Sequence, residues 1–112
     1  MLIEKKDVVA VNDVVCFRII NGEEIIGKLI EQDETSITLS KPIVAQLAMV
    51  GPNEARLGFG PFMATLDEEK ARVRFDRSKL ITDPLKARKD VGTQYTQMTT
   101  GLAIPAQGLI KP

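Results

Sequence analysis

Four cations, Arg72, Arg74, Arg77 and Lys79, stand within eight positions, and the first two alternate with Val73 and Phe75. A period of two is that of a strand, so Val73 and Phe75 are expected to face a core and the two arginines to face outward. Cations gathered on one surface attract phosphate, arginine through a planar fork of donors and lysine as a compact point charge. The distribution of charge along the chain points the same way. Residues 1–69 carry six basic and twelve acidic side chains, a net of −6, whereas residues 70–112 carry nine basic and three acidic ones, a net of +6. The chain as a whole is neutral, and separation of this kind can give a neutral protein one basic surface. The same pattern also describes solvated strand edges guarded by charge, or complementary faces at a subunit interface.

Other chemistries find little to work with. The absence of histidine removes imidazole as a base, as the partner of a nucleophile and as a metal ligand. One cysteine without histidine cannot make a zinc site of the usual nitrogen and sulfur type within one chain. Cys16 sits among Val14, Val15 and Phe17 and is expected to be a buried thiol. The carboxylate clusters Glu23-Glu24 and Asp67-Glu68-Glu69 fall in expected turns, without the apolar surroundings that raise a catalytic pKa. Gly58 and Gly60 lack the spacing of a dinucleotide fingerprint, and Pro61 removes an N–H that a phosphate cradle needs, so this stretch reads as a bend. No cofactor and no enzymatic activity are expected.

The elements that must carry the cations are mostly short strands. Residues 8–20 form the first, with Asn12-Asp13 breaking it near its start, and Asn21-Gly22 is expected to turn the chain through a type I′ hairpin into a second strand over 24–31. Gly27 inside that strand marks a bulge, a sharp bend or a close backbone approach. Residues 36–40 alternate as a half-buried third strand, punctuated by Lys41-Pro42. Residues 43–50 and 56–66 follow as a strand pair across the Gly51-Pro52-Asn53-Glu54 turn, with an irregularity at 58–61. After the 71–75 strand, residues 79–82 close the sheet. Asp83-Pro84 is a good helix start, and Leu85, Arg88, Val91, Tyr95, Met98 and Leu102 follow at helical spacing. Gly101 could cap that helix, and the stretch beyond Ile104 reads as extended or disordered.

At 112 residues and 44% hydrophobic, the chain supports one modest core, which in a small barrel is often helped by oligomerisation. The charged start, residues 1–7, lacks the apolar run of a signal peptide, and the apolar stretch 43–50 is interrupted by Gln46, so a soluble, cytoplasmic protein without membrane contact is expected. The chain has no internal repeat.

Gly22, Gly27, Leu29 and Asp33, after the alternating Val15, Phe17 and Ile19, have the spacing of the first motif of the Sm/LSm family, which this stretch resembles. Residues 33–39, Asp-Glu-Thr-Ser-Ile-Thr-Leu, match the length of the Hfq-type bacterial members, and residues 73–81 resemble the second motif, with Phe75 where the family has glycine. The longer middle, residues 57–62, and the tail with Pro84 and Tyr95 are similar to Sm-like proteins of tailed phages, cyanophages included. The resemblance implies an all-β fold, a small, strongly bent antiparallel Sm-like (SH3-like) barrel over residues 1–83, with a C-terminal helix or extended tail over 84–112 packed on it, assembling as a homo-oligomeric ring. It also implies a function, the binding of single-stranded nucleic acid, RNA before DNA, with Asp33, Thr35, Arg74, Asp76 and Arg77 lining the site and Arg74, Arg77 and Lys79 meeting phosphates. Thr35 occupies the slot where the family carries a large stacking side chain, which implies weak discrimination among bases. Phe75 either replaces that platform or, as its alternation with Val73 predicts, points into the core. The alternative function is a structural or protein-interaction module of a phage with no nucleic-acid role.

Overall fold

The computed structural model describes residues 8–67 and 69–100. It is mostly antiparallel sheet with one short helix near the C-terminal end. The strands are β1 (Val14–Arg18), β2 (Glu24–Gln32), β3 (Ser36–Gly51), β4 (Glu54–Pro61), β5 (Arg72–Asp76) and β6 (Leu85–Lys86), and the helix α1 spans Lys89–Thr99. The sheet runs β4-β3-β2-β1-β6, with β5 added to β3 beside this path. It is not closed into a continuous barrel. After β5 a short 3-10 turn, Arg77–Lys79, leads back to the end of β1, where Leu80 forms a single bridge with Ile19.

β3 is the strand on which the others are organised. Its first half pairs β5 from Ser36↔Asp76 to Ser40↔Arg72, its second half pairs β4 from Ile43↔Pro61 to Gly51↔Glu54, and β2 lies along both. The expected break at Lys41-Pro42 is instead a bulge within one continuous strand. Ile26 faces Ile43 and Lys28 faces Ser40, so Gly27 alone opposes Lys41 and Pro42. Lys41 takes a φ of 50°, which is costly for a side-chain-bearing residue and common at a bulge, and Pro42 has no N–H to lose from the ladder. Gly27 makes the bulge possible. A Cβ there would lie 2.9 Å from Leu39 Cδ1, 3.0 Å from Leu39 Cβ and 3.3 Å from the Ser40 carbonyl oxygen, and Leu39 is fully buried.

The sheet buries both faces in this region. Val15, Phe17, Ile25, Leu29, Ile37, Leu39, Val44 and Phe75 form one apolar cluster, closed by Val9. Ile26, Ala45 and Phe59 form a second on the opposite face, under Tyr95 of α1, with Val14, Cys16, Val91 and Met98 packed around it. Alternation along β1 therefore divides its side chains between two cores, and Cys16 is half-buried beneath the helix, with its thiol pushed up by burial and by Glu24. The Tyr95 hydroxyl reaches the carbonyls of Ser40 (2.7 Å) and Lys41 (2.9 Å), Lys41 N–H bonds Ala71 O (2.9 Å), and Lys41 Nζ donates to Thr99 O at the helix end (2.8 Å). The polar groups exposed by the bulge are thus taken up by α1 and by the approach to β5.

Several local expectations are corrected. The Asn21-Gly22 hairpin exists, but only Gly22 has a positive φ (92°) and its N–H bonds Ile19 O, so the loop is a three-residue turn ending in a left-handed glycine rather than type I′. β1 begins only at Val14, because Asn12 turns the chain with a φ of 81°. β4 starts at Glu54 and stops at Pro61, five residues before the expected end at 66. Of residues 79–82, Leu80 alone forms a bridge. The helix begins at Lys89 instead of after Asp83-Pro84, since Leu85 and Lys86 pair with Cys16 and Val15 and Ala87 N–H bonds Val14 O, holding 85–87 extended. Leu102, Gly101 and the tail lie outside the described residues.

Two outcomes follow. Gly27→Val should lower unfolding stability by about 1 to 3 kcal/mol or more, since a rigid side chain is forced into a filled core, and an unchanged denaturation midpoint would contradict this. Tyr95 is the only tyrosine in the chain and its hydroxyl is pushed up to about 12, chiefly by burial. Tyrosinate absorbance should therefore show a midpoint near 12 in the native protein and near the ordinary value of 10.0 in denaturant. Because the folded value is raised, the associated stabilisation is complete below pH 10 and lost as pH rises through about 12.

Candidate functional site

Asp33 leads the turn between β2 and β3 and uses its own carboxylate to shape it. Oδ1 accepts the N–H groups of Thr35 and Ser36, both at 2.8 Å, and the Thr35 hydroxyl at 3.1 Å. These bonds to the charged form hold the carboxyl below the usual aspartate value, the Thr35 N–H contributing most. Asp76, at the end of β5, plays a parallel part. Its Oδ1 accepts the Ser78 N–H at 2.9 Å and starts the 3-10 turn, and this bond, helped by Lys79 and Arg74, lowers its pKa.

Arg77 ties the two turns together. Its Nε donates to Asp33 O (2.7 Å), its Nη2 to Gln32 Oε1 (2.8 Å), and its backbone N–H to Thr35 O (2.9 Å). Gln32 in turn donates through Nε2 to Val9 O (3.0 Å). The turn after the second strand and the turn after β5, separated by more than forty residues in sequence, are thereby side by side. Residue type and spacing do not mark Gln32, because in sequence a half-buried amide at a strand end is indistinguishable from a solvated one.

The expected residues divide into two groups. Asp33, Thr35, Asp76 and Arg77 come together at this end of the sheet, and their polar groups are engaged with one another, with the Gln32 amide or with backbone. Arg74 and Lys79 are exposed, and neither side chain makes a hydrogen bond or close ion pair with the described residues. Arg74 stands opposite Thr38 and Arg72 opposite Ser40, so two guanidinium groups rise from β5 beside the small hydroxyl side chains of β3. Phe75 faces inward at 7% exposure, edge-on to Phe17 with ring centroids 5.1 Å apart and 5.3 Å from Phe62. It is core, not a surface platform, and Thr35 is exposed with its hydroxyl turned to Asp33.

Among the described residues no three groups of the carboxylate and thiol type are gathered to hold a metal ion. No described helix is long and apolar enough to cross a membrane. No protein-family model matches the chain, and no curated protein is similar to it at a significant level.

Asp33 gives this site a direct readout. Its depressed pKa means that the bonded turn is favoured above the ordinary carboxyl range and is lost as pH falls through the folded value. The amide resonances of Thr35 and Ser36 should hold steady down to about pH 4 and move together with the Asp33 carboxyl only below its ordinary value of 3.8. Movement centred above that value would contradict the assignment of Oδ1 as their acceptor.

Proposed function

We propose that the chain is an Sm-like protein that assembles into a homo-oligomeric ring and binds single-stranded nucleic acid, RNA foremost, with weak base discrimination. The observation that carries this reading is the hydrogen-bonded meeting of the 33–35 turn with the 76–79 turn through Arg77. Those are the two segments that the motif resemblance assigns to the binding site.

Further observations support it. Ile20 N–H bonds Lys79 O (3.0 Å) and Ile81 N–H bonds Arg18 O (2.7 Å), on either side of the Ile19–Leu80 bridge. In a bent sheet with β5 on the first half of β3, this contact stands where a small barrel would close. β4 and β5 each pair only with β3 among the described residues, so each has an edge able to pair with a neighbouring copy, and joining them satisfies backbone groups that otherwise face water. Light scattering on the full chain should accordingly give a multiple of 12.3 kDa, and a monomer mass at micromolar concentration would sink the ring.

Within this reading Arg74 and Lys79 contact phosphate, while Arg77 positions the loops. Arg74→Ala and Lys79→Ala should each weaken binding and reduce the slope of log affinity against log salt by about 0.7, the value for one phosphate contact on a single strand. Arg77→Ala should disturb the Thr35 and Ser36 amides even without nucleic acid. With no exposed aromatic side chain at the site, uridine-rich, adenine-rich and mixed oligonucleotides should bind within a few-fold of one another. Absent or salt-insensitive binding would favour the other reading, a protein-interaction module. Leu47 (72% exposed) and Met49 (67% exposed) on the projecting β3–β4 hairpin are the observation that favours that reading.

A further inference from the structure

Of the four cations within residues 72–79, Arg72 lies farthest in sequence from the joined turns. The sheet register gives it neighbours of its own. Arg72 pairs with Ser40 of β3, and Ser40 pairs on its other side with Lys28 of β2. Directly opposed residues of antiparallel strands project to the same face, so the three side chains form one row across the sheet. Next in that row, on β1, is Val14, which packs against the apolar cluster beneath α1 and ends the polar stretch at the helix.

The row has the chemistry of an anion site. Lys28 and Arg72 are exposed, Ser40 is half-buried between them, and none of the three side chains makes a hydrogen bond or close ion pair with the described residues. Adjacent strands lie about 4.8 Å apart, so the two cations rise about 10 Å from each other and are long enough to lean together over the short hydroxyl. An ammonium, a guanidinium fork and a hydroxyl are all donors to phosphate oxygen. The adjacent row, Glu31–Thr38–Arg74, carries one charge of each sign, whereas the Ser40 row carries two positive charges and none negative. Its backbone is also held in place. Ser40 O accepts the Tyr95 hydroxyl at 2.7 Å, and the row borders the bulge opposite Gly27. A frame fixed in advance lowers the ordering cost of gripping a ligand.

Arg72 and Arg74 stand two positions apart on one face of β5, about 6.8 Å along the strand, a step comparable to that between successive phosphates of a stretched single strand. We propose that Lys28, Ser40 and Arg72 together hold one phosphate of the bound strand, next to the phosphate met by Arg74. This inference rests on the nucleic-acid reading and adds a path to it. From the joined turns the strand passes Lys79 and Arg74, then crosses the sheet face toward α1.

Fluorescence anisotropy of the full chain with a labelled single-stranded RNA of mixed sequence, at several salt concentrations, tests the path. Lys28→Ala combined with Arg72→Ala should weaken binding and reduce the slope of log affinity against log salt by about 0.7, the value for one shared phosphate. A reduction of about 1.4, the value for two separate contacts, would overturn the shared site. Ser40→Ala should lower affinity and leave the slope unchanged, since a hydroxyl neutralises no charge. A tyrosinate midpoint that stays near 12 in these variants shows that Tyr95 is still docked on the row's backbone. In the unaltered chain the Ser40 and Arg72 amide signals should shift on addition of the RNA, a readout independent of how the variants fold, and unmoved signals would count against the site. Unchanged affinity and slope in the double variant, with Arg74→Ala still weakening binding, would overturn this inference and leave the nucleic-acid reading standing. Absence of RNA binding by the unaltered chain would overturn both.

Discussion

The close approach of β2 and β3 at Gly27 is the constraint on which the rest of the structure depends. Two residues of β3 are opposed by one of β2, and the absent side chain leaves room for the Leu39 side chain and the Ser40 carbonyl. The bulge changes the direction of β3 at Lys41, so β5 joins its first half and β4 its second without competing for the same edge. It also frees backbone carbonyls, and these become the anchor for Tyr95. Helix docking, the second apolar cluster and the course of β5 back toward β1 all proceed from one missing methyl group's worth of space.

What this arrangement positions is a pair of hydrogen-bonded turns beside two exposed cations. The Asp33 and Asp76 carboxylates are spent on backbone N–H groups of their own turns, and the Arg77 guanidinium on Asp33 O and Gln32. Preorganisation of this kind leaves Arg74 and Lys79 as exposed charges on a fixed frame. Cations carried on an ordered backbone lose less main-chain entropy on meeting an anionic strand than the same residues on a loose loop. The division between residues that shape the turns and residues that face outward makes the proposed interface a property of β5 as much as of the turns.

Much of this could be read from residue order where local and tertiary preferences agree. Alternation in 71–75 identified both the inward Phe75 and the outward Arg74, and a glycine amid β-branched residues marked the bend at Gly27. Reading failed where a distant partner decided the outcome. Asp83-Pro84 has good helix-start chemistry, yet pairing of Leu85 and Lys86 with β1 outweighs it. Lys41-Pro42 looks like a strand end, because nothing nearby reveals that Gly27 lies opposite and Tyr95 will satisfy the bulge. In the candidate site the motif residues of the two turns do come together, but the role of Arg77 as the tie depends on acceptors over forty positions away, a relation invisible to spacing.

Under the proposed function, nucleic acid meets the protein where the 33–35 and 76–79 turns join, with β5 presenting the phosphate contacts. Photo-crosslinking of the full chain to a 4-thiouridine-containing single-stranded RNA, followed by peptide mass spectrometry, tests this most directly. The account predicts crosslinked peptides that carry Thr35 and the 74–79 segment, and loss of the crosslinks on competition with unlabelled RNA. Crosslinks confined to the β3–β4 hairpin or to α1, or none at all, would contradict it.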